Sequence, residues 1–335
     1  MTTVFHARYS ACVTLKTLVS STSLVFLFAA GCATTSSDSP SKGVSIRDTG
    51  KKLIIQIAGQ PFSEYHYKDV PRPFLYPISG PGAAPMTRNW PMADAANEEQ
   101  DHPHHRSLWF THGDVNGQDF WSEAPTAGKV VHQNFVKVRS GADVGTVTER
   151  NNWVARDGTV TCSDVRTMRI FARPGNERVL DLDVTLHAGK SDVVLGDTKE
   201  GTMAIRLNEA MRLKGKIGTG HIVNSEGVRD GDTWGKRAKW CDYHGLVNGK
   251  TVGVAIFDHP SNPRHPTWWH VRDYGLFAAN PFGLHDFEKK PVGAGNLTIP
   301  AGKSLTFRYR FYLHEGNEQQ ARVEERYRNY ASGKL

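Results

Sequence analysis

The alternation that decides the fold is clearest in the stretch Val179-Leu180-Asp181-Leu182-Asp183-Val184-Thr185-Leu186. Successive side chains of a β-strand point to opposite faces, so the apolar residues at positions 180, 182, 184 and 186 share one face. Residues 304–313 repeat this pattern with a more aromatic apolar face. Both stretches therefore predict half-buried strands. The side chains predicted to point inward are Leu180, Leu182, Val184, Phe307, Tyr309 and Phe311.

Further strand-like runs cover residues 52–58, 130–139, 159–171 and 251–257 and are separated by turns that contain Gly and Pro. Only residues 318–330 have clear helical spacing, with Val323, Tyr327 and Tyr330 on one side. A parallel α/β sheet needs helices between its strands, and the sequence offers none there. We therefore predict an all-β fold, a single antiparallel β-sandwich domain over residues 44–335 with a short C-terminal helix.

The composition is that of a globular protein and excludes several classes. The 335 residues are 39% hydrophobic and 22% charged. A mean hydropathy of -0.47 excludes a polytopic membrane protein, as does the lack, beyond the N-terminal region, of an apolar run near the roughly 18 residues that a span needs. Lys and Arg exceed Asp and Glu by 41 to 34, but the basic residues are dispersed. No nucleic acid partner is predicted, although acidic glycans or an anionic envelope surface remain candidates.

The N-terminal 31 residues have the features of an export signal. Arg8 and Lys16 precede an apolar stretch that ends in Ala29-Ala30-Gly31-Cys32. Small residues directly before a cysteine resemble the bacterial lipobox, with alanine where leucine is commoner. We predict a lipoprotein signal peptide over 1–31, lipidation of Cys32 and a Ser-rich tether over 32–43, with an ordinary signal peptide as the alternative. Ala33 then favours an outer-membrane anchor facing the periplasm.

Two cysteines, Cys162 and Cys241, remain in the predicted domain. Export permits a disulfide between them, but buried free thiols in strands are the commoner outcome. The sequence leaves both alternatives open. No Cys-x-x-Cys pair is present, so a zinc ribbon is not predicted.

Ionisable residues are concentrated in residues 101–117. This segment contains four histidines at 102, 104, 105 and 112, together with Arg106 and Asp114. Imidazole exchanges protons near neutral pH or binds a metal when neutral. The alternative for any single histidine is a hydrogen-bonded structural role. We predict catalytic roles for His104, His105, Arg106 and His112, and substrate binding by Asp114.

Two further segments carry candidate site residues. The first contains Lys199-Glu200-Gly201 and leads to Arg206; Glu200 is a candidate acid or base, or else part of a solvated turn. The second, residues 258–283, combines aromatic rings with His270 and Arg272. Rings beside imidazole and guanidinium groups are typical of a carbohydrate pocket, although tryptophans also pack in cores. We predict His270 to be catalytic. The predicted substrate-binding residues of the chain are Asp114, Trp121, Arg206, Trp268, Arg272 and Asn280.

Several short motifs in order resemble those of the PmoA-like family of unknown function. They are Arg72-Pro73-Phe74-Leu75-Tyr76-Pro77, Asp101-His102-Pro103-His104-His105-Arg106-Ser107-Leu108-Trp109, Lys199-Glu200-Gly201, Trp240-Cys241-Asp242-Tyr243, Trp269-His270-Val271-Arg272 and Asn280-Pro281-Phe282-Gly283. The resemblance spans nearly the whole mature chain. It implies an exported bacterial protein associated with carbohydrate use and a β-sandwich similar to the galactose mutarotase supersandwich. It supplies no settled catalytic residues.

Three hypotheses for the function follow. The preferred one is a carbohydrate-active hydrolase, lyase or epimerase with a His/Arg/Glu site and no cofactor, which acts on a small molecule or glycan. The second is a noncatalytic sugar-binding lipoprotein. The third is a metal-dependent enzyme with ligands from His102, His104, His112 and Asp114. The membrane is expected as a partner only through the lipid anchor.

Overall fold

The computed structural model describes residues 43–334. The predicted signal peptide, most of the tether and Cys32 lie outside these residues. Within 43–334, no helix has the length and apolar character needed to cross a bilayer.

Eighteen strands are found in residues 43–334, and most belong to two eight-stranded sheets. In chain order they are β1 (Val44–Asp48), β2 (Lys52–Ile57), β3 (Gln60–His66), β4 (Phe74–Ile78), β5 (Leu108–His112), β6 (Lys129–Arg139), β7 (Val144–Val154), β8 (Val160–Phe171), β9 (Glu177–His187), β10 (Val193–Leu195), β11 (Gly201–Arg206), β12 (His221–Asn224), β13 (Trp240–Val247), β14 (Lys250–Asp258), β15 (Trp268–Val271), β16 (Leu276–Asn280), β17 (Leu297–Ile299) and β18 (Ser304–Glu315). The helices are α1 (Leu284–Glu288) and α2 (Val323–Ala331), with short 3-10 turns at Pro81–Ala83, Glu209–Met211 and Asp230–Thr233.

The first sheet has the order β1-β2-β3-β4-β5-β11-β16-β15 and the second the order β12-β13-β14-β18-β9-β8-β7-β6. Neighbouring strands in both sheets are antiparallel, and β10 pairs with β17 in a small separate ribbon. The predicted antiparallel all-β sandwich with a short C-terminal helix is therefore confirmed. No disulfide joins Cys162 and Cys241, which are both buried free thiols.

The main core lies between the two sheets. Phe110 of the first sheet packs against Phe307 of the second, with ring centroids 5.8 Å apart. All six side chains predicted to point inward are buried in this core, because β9 and β18 pair in register and expose the same alternating face to it. The period-two prediction is confirmed for both strands.

The opposite face of the second sheet is less open to solvent than the sequence predicted. Asp181 on β9 is buried, because Arg310 binds its carboxylate with both nitrogens and α2 covers the pair. Tyr330 of α2 lies with its ring 4.6 Å from the Arg310 guanidinium. The helix itself begins at Val323 rather than near residue 318, because Arg322 adopts a left-handed φ of 55° that interrupts helical geometry.

Candidate active site

A pocket of about 470 Å³ lies above the outer face of the first sheet, which is the face turned away from the main core. Its lining residues are His102, His104, His105, Gly113, Asp119, Trp121, Ser122, Thr198, Glu200 and Tyr274. A larger depression of about 650 Å³ near residues 116–118 and 155–161 has no imidazole or aromatic side chain in its lining. Because imidazole groups can exchange protons near neutral pH, the histidine-lined pocket is the candidate active site.

Three neighbouring strands form the base of this pocket. Trp109 on β5, Ala204 on β11 and Ala278 on β16 lie opposite one another across the sheet. Trp121 packs on Trp109 with ring centroids 5.2 Å apart. The small alanines leave room over the sheet, and the indoles give the pocket an apolar aromatic wall.

The loop of residues 99–107 carries the histidines and is held by two fully buried arginines, Arg88 and Arg206. Both guanidinium groups bind the Asp101 carboxylate, with Arg206 Nη2 at 2.7 Å from Oδ1. Arg88 also donates to the backbone oxygen of His102 at 3.1 Å. His102 has a φ of 43°, a conformation that non-glycine residues rarely adopt, and these contacts hold it there.

Asp101 also orients the His102 ring, since its Oδ2 lies 2.9 Å from Nδ1. Burial alone raises the pKa of Asp101, but the His102 hydrogen bond and the charges of Arg206 and Arg88 outweigh it and hold this pKa well below its usual range. The carboxylate is therefore anionic at neutral pH. The His102 ring that it holds packs parallel to Tyr274, with ring centroids 5.1 Å apart.

His104 lies in the opposite electrostatic environment. Burial, followed by the positive charges of Arg72 and His102, lowers its pKa to about 4. Within residues 43–334 neither of its ring nitrogens takes part in a hydrogen bond. At neutral pH His104 is thus a neutral imidazole in the pocket wall that is free to accept a proton or a hydrogen bond.

The His105 ring is held by contacts with other side chains of the protein. Arg206 donates to its Nδ1 at 3.0 Å, which places the ring proton of the neutral form on Nε2. Burial and the charge of Arg206 lower its pKa well below the usual value. The ring stacks on Trp109 at 5.4 Å, so it forms part of the pocket wall as an uncharged group.

Glu200 brings a carboxylate to the opposite side of the pocket. Its side chain is 36% exposed and its Oε1 lies 3.2 Å from Lys199 Nζ. The backbone of Gly113, at the end of β5, donates to the Glu200 backbone oxygen at 2.7 Å. A Cβ at Gly113 would lie 2.7 Å from that oxygen, so this close approach requires glycine.

Trp121 and Asp119 enter the pocket on a loop that Arg72 fixes. Arg72 is buried and donates to the backbone oxygens of Trp121 at 2.7 Å and of His104 at 3.0 Å. Arg106, predicted to be catalytic, does not line the pocket. Its guanidinium binds both oxygens of Glu123, at 2.6 and 2.7 Å, and so tightens the junction of the two loops.

His270 lies on β15 and Arg272 directly follows this strand; neither lines the pocket, but Arg272 contacts Tyr274, which does. Trp234 Nε1 donates to His270 Nδ1 at 2.9 Å, so the neutral ring carries its proton on Nε2. Burial and the charges of Arg272, Lys199 and His102 lower the pKa of His270 to about 3. Arg272 is half-buried, and its guanidinium lies 5.5 Å from the Tyr274 ring and 5.8 Å from the Trp234 ring.

His112, predicted to be catalytic, lies on the other face of β5. Its Nε2 is 2.9 Å from the backbone oxygen of Gly196, and its ring packs on Phe282 in the main core. Burial lowers its pKa to about 4. Since side chains alternate across a strand, His112 shares its face with Leu108 and Phe110 and not with Trp109.

The remaining predicted binding residues have structural partners. Asp114 caps a turn through the Gly117 amide at 2.8 Å, and Asn280 is fully buried with its amide on the Thr198 backbone oxygen at 2.9 Å. Trp268 is buried near the sheet edge and donates to Glu288 at 2.8 Å. Arg206 donates hydrogen bonds to His105 and Asp101. None of these four lines the pocket.

The structure does not assemble the hypothesised metal ligands His102, His104, His112 and Asp114, because His112 lies behind the sheet and Asp114 in a turn. Within residues 43–334 one group of three donors is close enough for a metal ion, with all atoms within 4.8 Å. It consists of Asp242, His244 and Glu318, on the second sheet and beside α2. The Asp242 oxygens already bind His244 at 2.7 Å and His314 at 2.6 Å, which explains this cluster without an ion.

Sequence reasoning missed Asp101, Asp119, Trp234 and Tyr274. Asp101 directly precedes His102, and an Asp-His pair next to a histidine cluster is a signal that could have found it. Tyr274 lies two residues after Arg272, and this spacing, which puts both side chains on one face of an extended segment, is a signal that could have found it. Asp119 and Trp234 reach their places through tertiary contacts that no local pattern encodes.

Comparisons with known proteins place these features in context. Two solved structures to which the chain is similar are an α-galactosidase from Lactobacillus brevis (9% identity, TM-score 0.39, 82% of this chain and 39% of that chain) and an aldose epimerase homologue from C. elegans (7% identity, TM-score 0.33, 82% of this chain and 97% of that chain). The chain thus spans about two fifths of the length of the α-galactosidase. A search of curated proteins gives no match.

The resemblance to the PmoA-like family is wrong, because the family model that matches is a different one and no match supports a PmoA family. The resemblance rested on short separate motifs, whereas the model of the family of unknown function DUF6807 matches the continuous stretch of residues 52–328. This stretch covers well over half of the sequence, and the chain therefore belongs to the DUF6807 family.

Proposed function

We propose that this protein is an enzyme that acts on a carbohydrate by proton transfer in the histidine-lined pocket. The observation that carries the proposal is the pairing of His102 and His104, whose ring centroids lie 5.8 Å apart in opposite electrostatic environments. An imidazole held by a carboxylate, beside a second imidazole with free ring nitrogens, can supply an acid and a base to one substrate. The aromatic wall and the Glu200 carboxylate suit a substrate with C–H faces and hydroxyl groups.

In this mechanism His104 is the proton acceptor and His102 the donor. Burial beside Arg72 keeps His104 neutral, and Asp101 Oδ2, 2.9 Å from His102 Nδ1, fixes the orientation of the proposed donor ring. Glu200 accepts hydrogen bonds from substrate hydroxyls or acts as a second base on the far side of the ring. A hydrolase, a lyase and an epimerase all need such an acid and base, and these three reaction classes are the candidates.

The experiment is an activity screen of the purified full chain on sugars, with release of reducing ends, formation of unsaturated products and anomeric exchange by NMR as readouts. His104→Asn should lower turnover about 10²- to 10⁴-fold, the usual contribution of one acid–base group. His187→Asn at the end of β9 is the matched control and should leave turnover unchanged. Sugar binding without turnover in any assay would favour the noncatalytic binding protein instead.

We also propose that the protein is a lipoprotein of the bacterial cell envelope, with lipid on Cys32 and an outer-membrane anchor facing the periplasm. The support is the sequence Ala29-Ala30-Gly31-Cys32 and the Ser-rich tract after it. Wild-type protein should fractionate with membranes and Cys32→Ser should not. A Cys32→Ser protein that stays with the membrane would contradict this proposal.

A further inference from the structure

The guanidinium group of Arg272 has no protein partner that accounts for its position. It is half-buried beside the candidate active site, and within residues 43–334 it forms no ion pair and no side-chain hydrogen bond. The other site arginines differ, since Arg72, Arg88 and Arg206 are all bound to carboxylate or backbone oxygens. None of the Arg272 nitrogens is a buried atom without a partner, so they are open to an anionic ligand.

The surroundings of Arg272 hold it in place while leaving its nitrogens free. The Tyr274 and Trp234 rings lie 5.5 and 5.8 Å from its central carbon and restrict it by cation–π contact. Trp234 is itself fixed by its hydrogen bond to His270 Nδ1 at 2.9 Å. A planar guanidinium held between rings is preorganised to bind two oxygens of one anionic group.

The groups beside Arg272 can also receive an anion. The His270 ring and the Arg272 guanidinium both contact Trp234, and Arg272 also contacts Tyr274, which lines the pocket. The neutral His270 ring has its proton on Nε2, because Nδ1 accepts from Trp234, and it therefore offers a donor. The Glu200 carboxylate in the pocket lining is already paired with Lys199, at 3.2 Å.

We infer that Arg272 binds an anionic group of the substrate, so that the pocket selects acidic sugars over neutral ones. The shared chemistry is a group with two or more anionic oxygens, whether the carboxylate of a uronic acid or a sulfate or phosphate ester. Tyr274 joins this position to the pocket, because its ring packs against both Arg272 and His102. The inference rests on the proposed function only in taking the ligand to be a sugar.

The test compares binding of matched probes by titration calorimetry: galactose, galacturonate, galactose 6-sulfate and inorganic phosphate. Wild-type protein should bind galacturonate or galactose 6-sulfate at least 10-fold more tightly than galactose. Arg272→Gln should remove this preference, a loss of about 10- to 100-fold for the anionic probe, with galactose unchanged within about twofold. The acidic sugar that binds more tightly identifies the anionic group. If inorganic phosphate binds as tightly as the acidic sugars, the sugar itself is not recognised and the inference is overturned.

Arg173→Gln is the matched control, because Arg173 is also half-buried over an aromatic ring, at 5.8 Å from Phe171, but lies on the β8–β9 turn of the second sheet. It should keep the wild-type preference. Should Arg272→Gln fail to fold, Arg272→Lys keeps the charge but loses the two-oxygen geometry, and should retain only part of the preference. Equal affinity of the wild type for acidic and neutral probes, or a preference that survives in Arg272→Gln, overturns the inference.

The outcome separates this inference from the proposed enzyme. Arg272-dependent binding of acidic sugars without turnover would support the anion site and contradict the enzyme. Turnover of neutral sugars that does not depend on Arg272 would support the enzyme and contradict the anion site.

Discussion

Replacing Asp101 by asparagine tests how the histidine loop is held. The substitution removes the negative charge shared by Arg88 and Arg206, two side chains with no solvent exposure. Removing one partner of a buried ion pair costs about 3–5 kcal/mol, because the remaining charge stays buried. The Asp101 side chain is 30% exposed, so water screens part of the interaction and we expect a loss of about 2–3 kcal/mol in the free energy of unfolding.

The pH dependence of this loss follows from the depressed pKa of Asp101. A carboxyl with a folded-state pKa below its usual value of 3.8 stabilises the fold fully above that value. The stabilisation disappears as the pH falls through the lower, folded-state pKa. The difference between wild type and Asp101→Asn should therefore be constant from neutral pH down to about pH 5 and shrink below about pH 4.

Urea unfolding followed by tryptophan fluorescence measures this difference at neutral and acidic pH. Asp94→Asn is the control, since Asp94 is an exposed residue of the neighbouring loop with no ion pair, and it should change stability by less than about 0.5 kcal/mol. Asp101→Asn should also lower turnover, because His102 loses the group that orients it. The reasoning is refuted if Asp101→Asn is as stable as Asp94→Asn at neutral pH.

Two further predictions concern the second sheet. Burial lowers the pKa of His244, but the hydrogen bond and charge of Asp242 outweigh it, so the pKa of His244 is raised above its usual 6.5. This stabilisation is complete below pH 6.5 and is lost as the pH rises through the higher folded-state pKa, so His244→Gln should destabilise the protein more at pH 5.5 than at pH 9 by urea unfolding; an equal loss at both would contradict this. Burial raises the thiol pKa of Cys162 and of Cys241 far above the usual value, so iodoacetamide at pH 8 should label neither in the native protein and both in denaturant, as read by peptide mass spectrometry. Labelling of either thiol in the native protein would show that its strand opens readily.

The strands were predictable because their signal is local. In β9 and β18 one face meets the core and the other is polar, so a period of two is visible in the sequence. In β5 all five residues are buried, since the core lies on one side and the pocket wall on the other. The sequence pattern then does not show which side chains face the core and which face the pocket. For this reason His112 was wrongly placed with the pocket residues.

The site was predictable only in part for a related reason. His104 and Glu200 line the pocket, and the sequence indicated both because each lies among other ionisable residues. Residues 99–107 form an irregular loop and not a strand, so the alternation of side chains along a strand does not show which of them face the pocket. Arg106 was predicted to be catalytic and Arg206 to bind substrate, because their partners, Glu123 and Asp101, come from distant or irregular segments that a local pattern does not pair.

The way in which Arg72 fixes the two pocket loops bears on how this scaffold could diversify. Its guanidinium donates hydrogen bonds to backbone oxygens of residues 104 and 120–122. These bonds do not depend on which side chains those positions carry. Exchanging His104 or Trp121 for other residues leaves these hydrogen bonds in place. New specificities can therefore be explored by changing the pocket side chains while the course of the loops, and with it the shape of the cavity, is inherited unchanged.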